Sequence, residues 1–287
     1  MVGANPVSRS GDAGPPLSGS NLALRVISAA VLAPLAFVSA YFGGWPFAVF
    51  WGIAAVAVLW EWITLVAGSR HWLMFSSCGA AIAAAGLVAW LERPLTALLM
   101  LGLGALAGAI FAPNERRVWV TAGIGYAGTM LLAPMFLRAD SEFGFVVIVL
   151  LFAVVWTTDI LGYFAGRAFA GPKLAPAISP KKTWSGALTG GLGAVIAAMF
   201  VVNLFGTFNK LAIGIMAILL SAVAQLGDLL ESWVKRQFGA KDSSHLIPGH
   251  GGVMDRLDGF WAAALVACVM GLWRGGFTAP GRGLLWW

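Results

Sequence analysis

Residues 143–165 read FGFVVIVLLFAVVWTTDILGYFA, with Asp159 as the one charged residue in the run. Crossing the hydrocarbon of a bilayer takes about 20 apolar residues in a helix. This stretch has that length, and it carries a carboxylate inside it. Working outward, comparable apolar runs occupy 22–42, 46–67, 72–91, 94–112, 118–137, 184–205, 209–231 and 257–275. The run at 118–137 is the weakest, because Gly123, Gly125 and Gly128 dilute it.

Composition agrees. Of 287 residues, 60% are hydrophobic and 10% are charged, and the mean hydropathy is +0.86. A soluble domain carries about a quarter charged residues. An ordinary soluble enzyme, a coiled coil and a disordered chain are therefore excluded. The expectation is an all-α polytopic membrane protein of about nine transmembrane helices with short loops. Residues 1–20, rich in Gly, Pro and Ser, are predicted to be a disordered tail. Helices fill 21–142, and a second helical region, 143–287, carries loops 166–183 and 232–256. Val38-Ser39-Ala40 has the small-residue pattern of a signal-peptide cleavage site, but 22–42 is read as an uncleaved first span. Trp286 and Trp287 suit rings anchored at the water interface. Cys78 and Cys268 both lie in apolar runs, so neither a disulfide framework nor a CxxC metal pair is expected.

The net charge of +6 does not indicate nucleic acid, because the basic residues separate by side. With the N-terminus in the cytoplasm, Arg9, Arg25, Arg70, Arg116, Arg117, Arg167, Lys173, Lys181, Lys182, Lys235, Arg236, Lys241 and Arg256 fall inside. Arg93, Arg138, Lys210, Arg274 and Arg282 fall outside. That bias predicts a cytoplasmic N-terminus and a C-terminus on the opposite side.

Residues 228–258 break the apolar pattern. They hold Asp228, Glu231, Lys235, Arg236, Lys241, Asp242, Asp255, Arg256 and Asp258, with His245 and His250 among them. Carboxylates at the ends of membrane spans are costly and mark function by default. Asp228, Glu231, Ser232 and Lys235 are spaced along one helix face, and Asp255 and Asp258 share a face at the start of the last span. Asp159, Asp228 and the Asp255/Asp258 pair thus come from three spans. Oxygen donors without thiolates suit Mg²⁺. The plainer alternative for Asp228 is a salt bridge to Lys235. Gly162 and Gly166 follow Asp159 on its own face and allow a backbone or a ligand close to it.

Two further elements suit phosphate. In Lys173 through Trp184, Ser179 is placed as N-cap and Pro180 as first residue of the seventh span, beside Lys181 and Lys182. A positive-inside flank with a good cap is the alternative. In Pro248-Gly249-His250-Gly251-Gly252, three glycines in five residues bring backbone amides toward an anion; a plain loop is the alternative. Gly123-Ile-Gly125-Tyr-Ala-Gly128 fits a dinucleotide fingerprint in form, but it lies inside a span and is read as helix packing. Gly166 to Lys173 resembles the start of a P-loop, but Pro172 intervenes and no Ser or Thr follows the Lys. Gly104-xxx-Gly108 and Gly186-xxx-Gly190 are read as packing positions within the chain.

The stretch from Ser232-Trp-Val-Lys235-Arg236 through Lys241-Asp242-Ser-Ser-His245 and His250-Gly251-Gly252 to Asp255-Arg256-Leu-Asp258 closely resembles the C-terminal motif of phosphatidate cytidylyltransferases. Asp159–Arg167 and Lys173–Trp184 resemble the family's preceding segment. The resemblance covers roughly 155–275. One departure is Ser185, where the family commonly has Glu.

The resemblance implies transfer of CMP from CTP to phosphatidic acid, giving CDP-diacylglycerol and pyrophosphate, at the cytoplasmic face of a bacterial inner membrane. It implies Mg²⁺ held by Asp228, Asp255 and Asp258, a monovalent cation such as K⁺ as a second ion, and a homodimer. Asp228, Lys235, Arg236, Asp255 and Arg256 are then the catalytic candidates. Asp159, Lys173, Ser179, Lys181, Lys182, Ser232, Lys241, Asp242, His250, Gly251 and Gly252 are the substrate-binding candidates. A CTP-dependent lipid kinase would use the same nucleotide but release CDP. A CDP-alcohol phosphotransferase would need acids four apart, whereas Asp255 and Asp258 are three apart. A secondary transporter would place its acids near mid-bilayer, whereas these cluster at span ends.

Overall fold

The computed structural model describes residues 19–68, 71–247 and 251–287. The predicted tail up to residue 18, with Arg9, and also Arg70, Pro248, Gly249 and His250 lie outside the described residues. The apolar runs became helices with only end shifts: α1 (Gly19–Phe42), α2 (Gly44–Ala67), α3 (Trp72–Trp90), α4 (Pro94–Phe111), α5 (Arg117–Ala139), α6 (Gly144–Ala168), α7 (Trp184–Phe205), α8 (Lys210–Gln237), α9 (Met254–Gly275) and a short α10 (Pro280–Leu285). Among the described residues, α2 to α9 supply eight helices long and apolar enough to span a membrane, and α1 adds a shorter apolar stretch, Val26–Phe42. The protein is an all-α polytopic membrane protein apart from one small hairpin.

The weakest sequence run is the most central helix. In α5, 78% of the spanning window is buried. Its glycines are close-packing positions: a Cβ on Gly123 would lie 2.2 Å from Trp62, and one on Gly128 would lie 2.6 Å from Leu101. In lipid, helices gain little from merely hiding apolar surface, so small residues that bring neighbours into contact drive packing. Gly104 and Gly108 meet Ala81 and Ile124 in the same way. Gly186 and Gly190 of α7 lie against the backbone carbonyls of Gly162 and Thr158 of α6. Gly162 and Gly166 therefore admit α7 rather than a ligand.

Aromatic contacts lock α9 among the rest. Trp51 of α2 stacks on Phe260, with centroids 4.8 Å apart. Tyr126 of α5 stacks on Trp261 at 4.1 Å, and Phe152 of α6 also packs on Phe260. At one end of the bundle Arg138 donates to the carbonyls of Ala40 and Tyr41, closing the C-terminal end of α1. There, too, Asp140 accepts from the backbone N–H of Arg282 in α10. At the other end Arg116 lies over the Phe238 ring, and there the charged residues of α6, α8 and α9 gather. Cys78 and Cys268 are buried free thiols.

Two boundaries differ from expectation. Ser179 does not cap α7. Residues Ser179–Thr183 form a strand, β2, paired antiparallel with β1 (Lys173–Ala175). Thr183 is the N-cap, its hydroxyl accepting from Gly186 N–H at 3.2 Å. Pro180 has no N–H to give a helix or a ladder and sits within this two-stranded edge. Lys181 and Lys182 are consequently on a strand, ahead of the helix rather than in its first turn. The charged loop is also shorter than 232–256. Helix α8 runs on to Gln237, with Lys235 and Arg236 in its last turn where the dipole favours cations, and α9 begins at Met254.

Candidate functional site

Two polar constellations lie side by side at the end of the bundle that holds the hairpin. The first is accessible. Lys182 reaches from β2 to Asp228 of α8, with Nζ 2.5 Å from Oδ2. Ser232, one turn on, donates to the same carboxylate. Asp258 of α9 is near enough to Asp228 and Asp159 to feel their charge, with Lys182 opposing it. Asp159 in turn lies within electrostatic range of Asp228, Lys182 and Arg256. Asp159 is exposed, while Asp228 and Asp258 are half-buried. Three carboxylates and one lysine, from three helices and the hairpin, thus lie within electrostatic range of one another, with Lys182–Asp228 as the direct contact.

The second constellation is buried. Lys235 sits 2.5 Å from both Glu231 and Asp255. The alternative pairing of Asp228 with Lys235 is therefore not formed; Lys182 takes Asp228 instead. Asp255 also accepts from Ser243 N–H, Ser243 Oγ and Gly252 N–H. Of its two oxygens, Oδ2 takes these three donors and Oδ1 takes the Lys235 ammonium. The N–H of Gly252 is thereby committed to Asp255 rather than presented to an anion. Gly251, at φ +83°, bridges back to Ile247.

The remaining predicted residues lie on the rim. Lys173, Lys181, Lys241, Asp242 and Arg256 are exposed, and Ser179 is half-buried. Arg236 donates to the carbonyl of Ala240 just beyond α8. Ser185, the departure from the family pattern, donates to the carbonyl of Ala170. It ties the left-handed turn after α6, where Ala170 has φ +50°, to the start of α7.

The sequence reading missed Glu61. It lies in α2, fully buried, accepts from Ser244 Oγ, Val253 N–H and Met254 N–H, and shares the single hydroxyl proton of Ser243 with Asp255. A lone acid inside an apolar run was the available signal, the same one that singled out Asp159.

The fold and this site define a multi-span membrane protein with charged residues gathered at one end. Comparison with known sequences narrows the class. Residues 23–273 match the profile described as the Cytidylyltransferase family. A protein of Brucella abortus biovar 1 (strain 9-941), named phosphatidate cytidylyltransferase, is 44% identical over 255 residues, covering 88% of this chain and 94% of the relative. Relatives of the same name from Rickettsia conorii and Haemophilus influenzae are 42% and 41% identical, over 43% and 48% of this chain and 56% and 49% of their own lengths. The chain belongs to the cytidylyltransferase family.

Proposed function

We propose that this protein transfers CMP from CTP to phosphatidic acid, forming CDP-diacylglycerol and pyrophosphate. The observation that carries the reading is the Lys182–Asp228 ion pair, with Asp159 and Asp258 within electrostatic range of it, at the end of the bundle that holds the basic hairpin. The Brucella relative, matched over nearly its whole length, bears the name of that activity.

The chemistry requires two polyanions to meet. An oxygen of the lipid phosphate attacks the α-phosphorus of CTP. A new P–O bond forms, the α–β bridging P–O bond breaks, and its electron pair leaves on pyrophosphate. The lipid phosphate is already an anionic nucleophile near neutral pH, so no protein nucleophile or general base is needed. What the protein must supply is charge neutralisation and alignment. Lys182, Lys181 and Arg256 are placed to bind phosphate oxygens. Arg256 can grip two oxygens at once. Lys173 and Lys241 extend the basic rim. Asp228 holds the Lys182 ammonium.

Among the described residues, no three His, Cys, Asp or Glu side chains are drawn together as a finished metal site. Mg²⁺ commonly takes one or two carboxylates and completes its shell with water and substrate phosphates. Asp159, Asp228 and Asp258 fit that requirement. Asp255, with both oxygens occupied, serves instead to shape the loop. Bound there, Mg²⁺ supplies positive charge to the triphosphate.

The reading extends to a cytoplasmic site in a bacterial inner membrane. It is supported by the clustering of Lys and Arg at the hairpin end and by the water-soluble nucleotide. A homodimer follows from the family resemblance and is checked by the mass of the detergent-solubilised particle. The test of the reaction is an assay of purified protein with phosphatidate, Mg²⁺ and each of the four nucleoside triphosphates. CTP labelled at its α-phosphate should pass label into lipid. Label recovered only in CDP, or no preference for CTP, would overturn the assignment.

A further inference from the structure

We propose that Glu61 is a positioning residue that holds Ser243 and Ser244, in the loop after α8, and the start of α9 as one preorganised unit for the nucleotide. This rests on the reaction proposed above. Val253, at the start of α9, offers no side-chain cap to its own helix. The cap comes from α2 instead. The Glu61 carboxylate accepts Val253 N–H at 2.8 Å and Met254 N–H at 2.7 Å. Its charge lies against the positive end of the α9 dipole.

The same carboxylate takes two hydroxyls from the middle of the loop, Ser244 Oγ at 2.6 Å and Ser243 Oγ at 3.1 Å. Ser243 Oγ also lies 2.9 Å from Asp255, which holds Lys235. One buried chain of polar contacts therefore runs from α2 through the loop to α9 and α8. Gly252 is packed so closely on it that a Cβ would fall 2.7 Å from a Glu61 oxygen. Arg256 and Asp258 follow Met254 within about one helical turn, so their direction depends on how that first turn is held.

Hydrogen bonds to a buried charge are strong, and an unmade one is costly. Glu61→Gln sets an amide N–H₂ against one of those backbone N–H donors, donor facing donor. In the full-length protein the KM for CTP should rise about tenfold, with a smaller loss in kcat, a change of the size one such bond supplies. Glu61→Asp should recover part of it. Tryptic cleavage at Lys241 should quicken while cleavage at Arg117, at the same end of the bundle, does not; general destabilisation would quicken both. Should Glu61→Gln not fold, the double variant Ser243→Ala, Ser244→Ala removes the loop's half of the contacts and should shift the same readouts in the same direction. Wild-type KM and wild-type cleavage at Lys241 in either variant would overturn the proposal. So would a lost kcat with KM and cleavage unchanged. If wild-type protein proves inactive on CTP, the proposed reaction fails, and cleavage at Lys241 alone decides whether Glu61 clamps the loop.

Discussion

Lys182 of the hairpin and Asp228 of α8 form an ion pair of 2.5 Å, their side chains 24% and 32% exposed. The pair ties the hairpin to a membrane helix. It also brings a cation beside a carboxylate that we assign to metal.

The two residues should therefore act as a unit. Asp228→Asn is expected to lower turnover by about 100-fold, as removal of one charge-stabilising group typically does, and added Mg²⁺ should not restore it. Lys182→Met should raise the KM values for substrates as well as slow turnover. The double variant should be clearly less impaired than the product of the two singles, because contacting charges do not add. A double-mutant cycle on kcat/KM checks this; strictly multiplicative losses would show that the pair is not coupled in the working enzyme.

The buried pairings make a different demand. Glu231 is 1% exposed and Lys235 is 9% exposed by side chain. Lys235→Met leaves Glu231 and Asp255 facing each other without a cation. The expected loss is about 3–5 kcal/mol of stability, the usual result of removing one partner from a buried charge group. Glu231→Gln should cost less, since an amide can still accept from Lys235. Unfolding of the purified variants in detergent, followed by tryptophan fluorescence, measures both. A Lys235→Met protein as stable as wild type would contradict the structure.

Close helix packing gives a sharper contrast. A Cβ on Gly186 or Gly190 would strike a backbone carbonyl of α6 at 2.5 or 2.7 Å, whereas one on Gly125 meets nothing within 4 Å. Gly186→Ala and Gly190→Ala should each destabilise by about 1–3 kcal/mol or more, the range for overpacking, because backbone cannot swing aside. Gly125→Ala should be tolerated or slightly stabilising. Thermal stability of the three variants ranks them. Equal stabilities would mean α6 and α7 do not meet at these glycines.

Much of this was legible in the chain. Long apolar runs translate directly into helices, so the spans around Asp159 and Cys268 came out within a few residues. That Asp159, Asp228 and Asp258 lie toward one end of the bundle was also readable, because they sit near the ends of their apolar runs. What the residues could not disclose was partner choice. Asp228 and Glu231 sit on one helix face, yet one turns to the hairpin and the other inward to Lys235, a split decided by neighbouring helices. Ser179 and Thr183 are both good caps in isolation, and strand pairing with Lys173–Ala175 selects Thr183. Glu61 escaped because its donors, Ser243 through Met254, are 182 to 193 residues away.

The same arrangement yields a prediction of sidedness. The site residues and α10 lie at opposite ends of the bundle, and the basic residues favour the site's end. Lys and Arg in short loops are retained on the cytoplasmic side, so Lys241 should face the cytoplasm and Arg282 the other compartment. Lys241→Cys and Arg282→Cys can be compared directly, since Cys78 and Cys268 are buried and should give little background. In intact cells a membrane-impermeant maleimide should label Arg282→Cys and spare Lys241→Cys. In inverted membrane vesicles the preference should reverse. Labelling of Lys241→Cys from outside intact cells would place the site away from the nucleotide pool and remove the basis for CTP as its substrate.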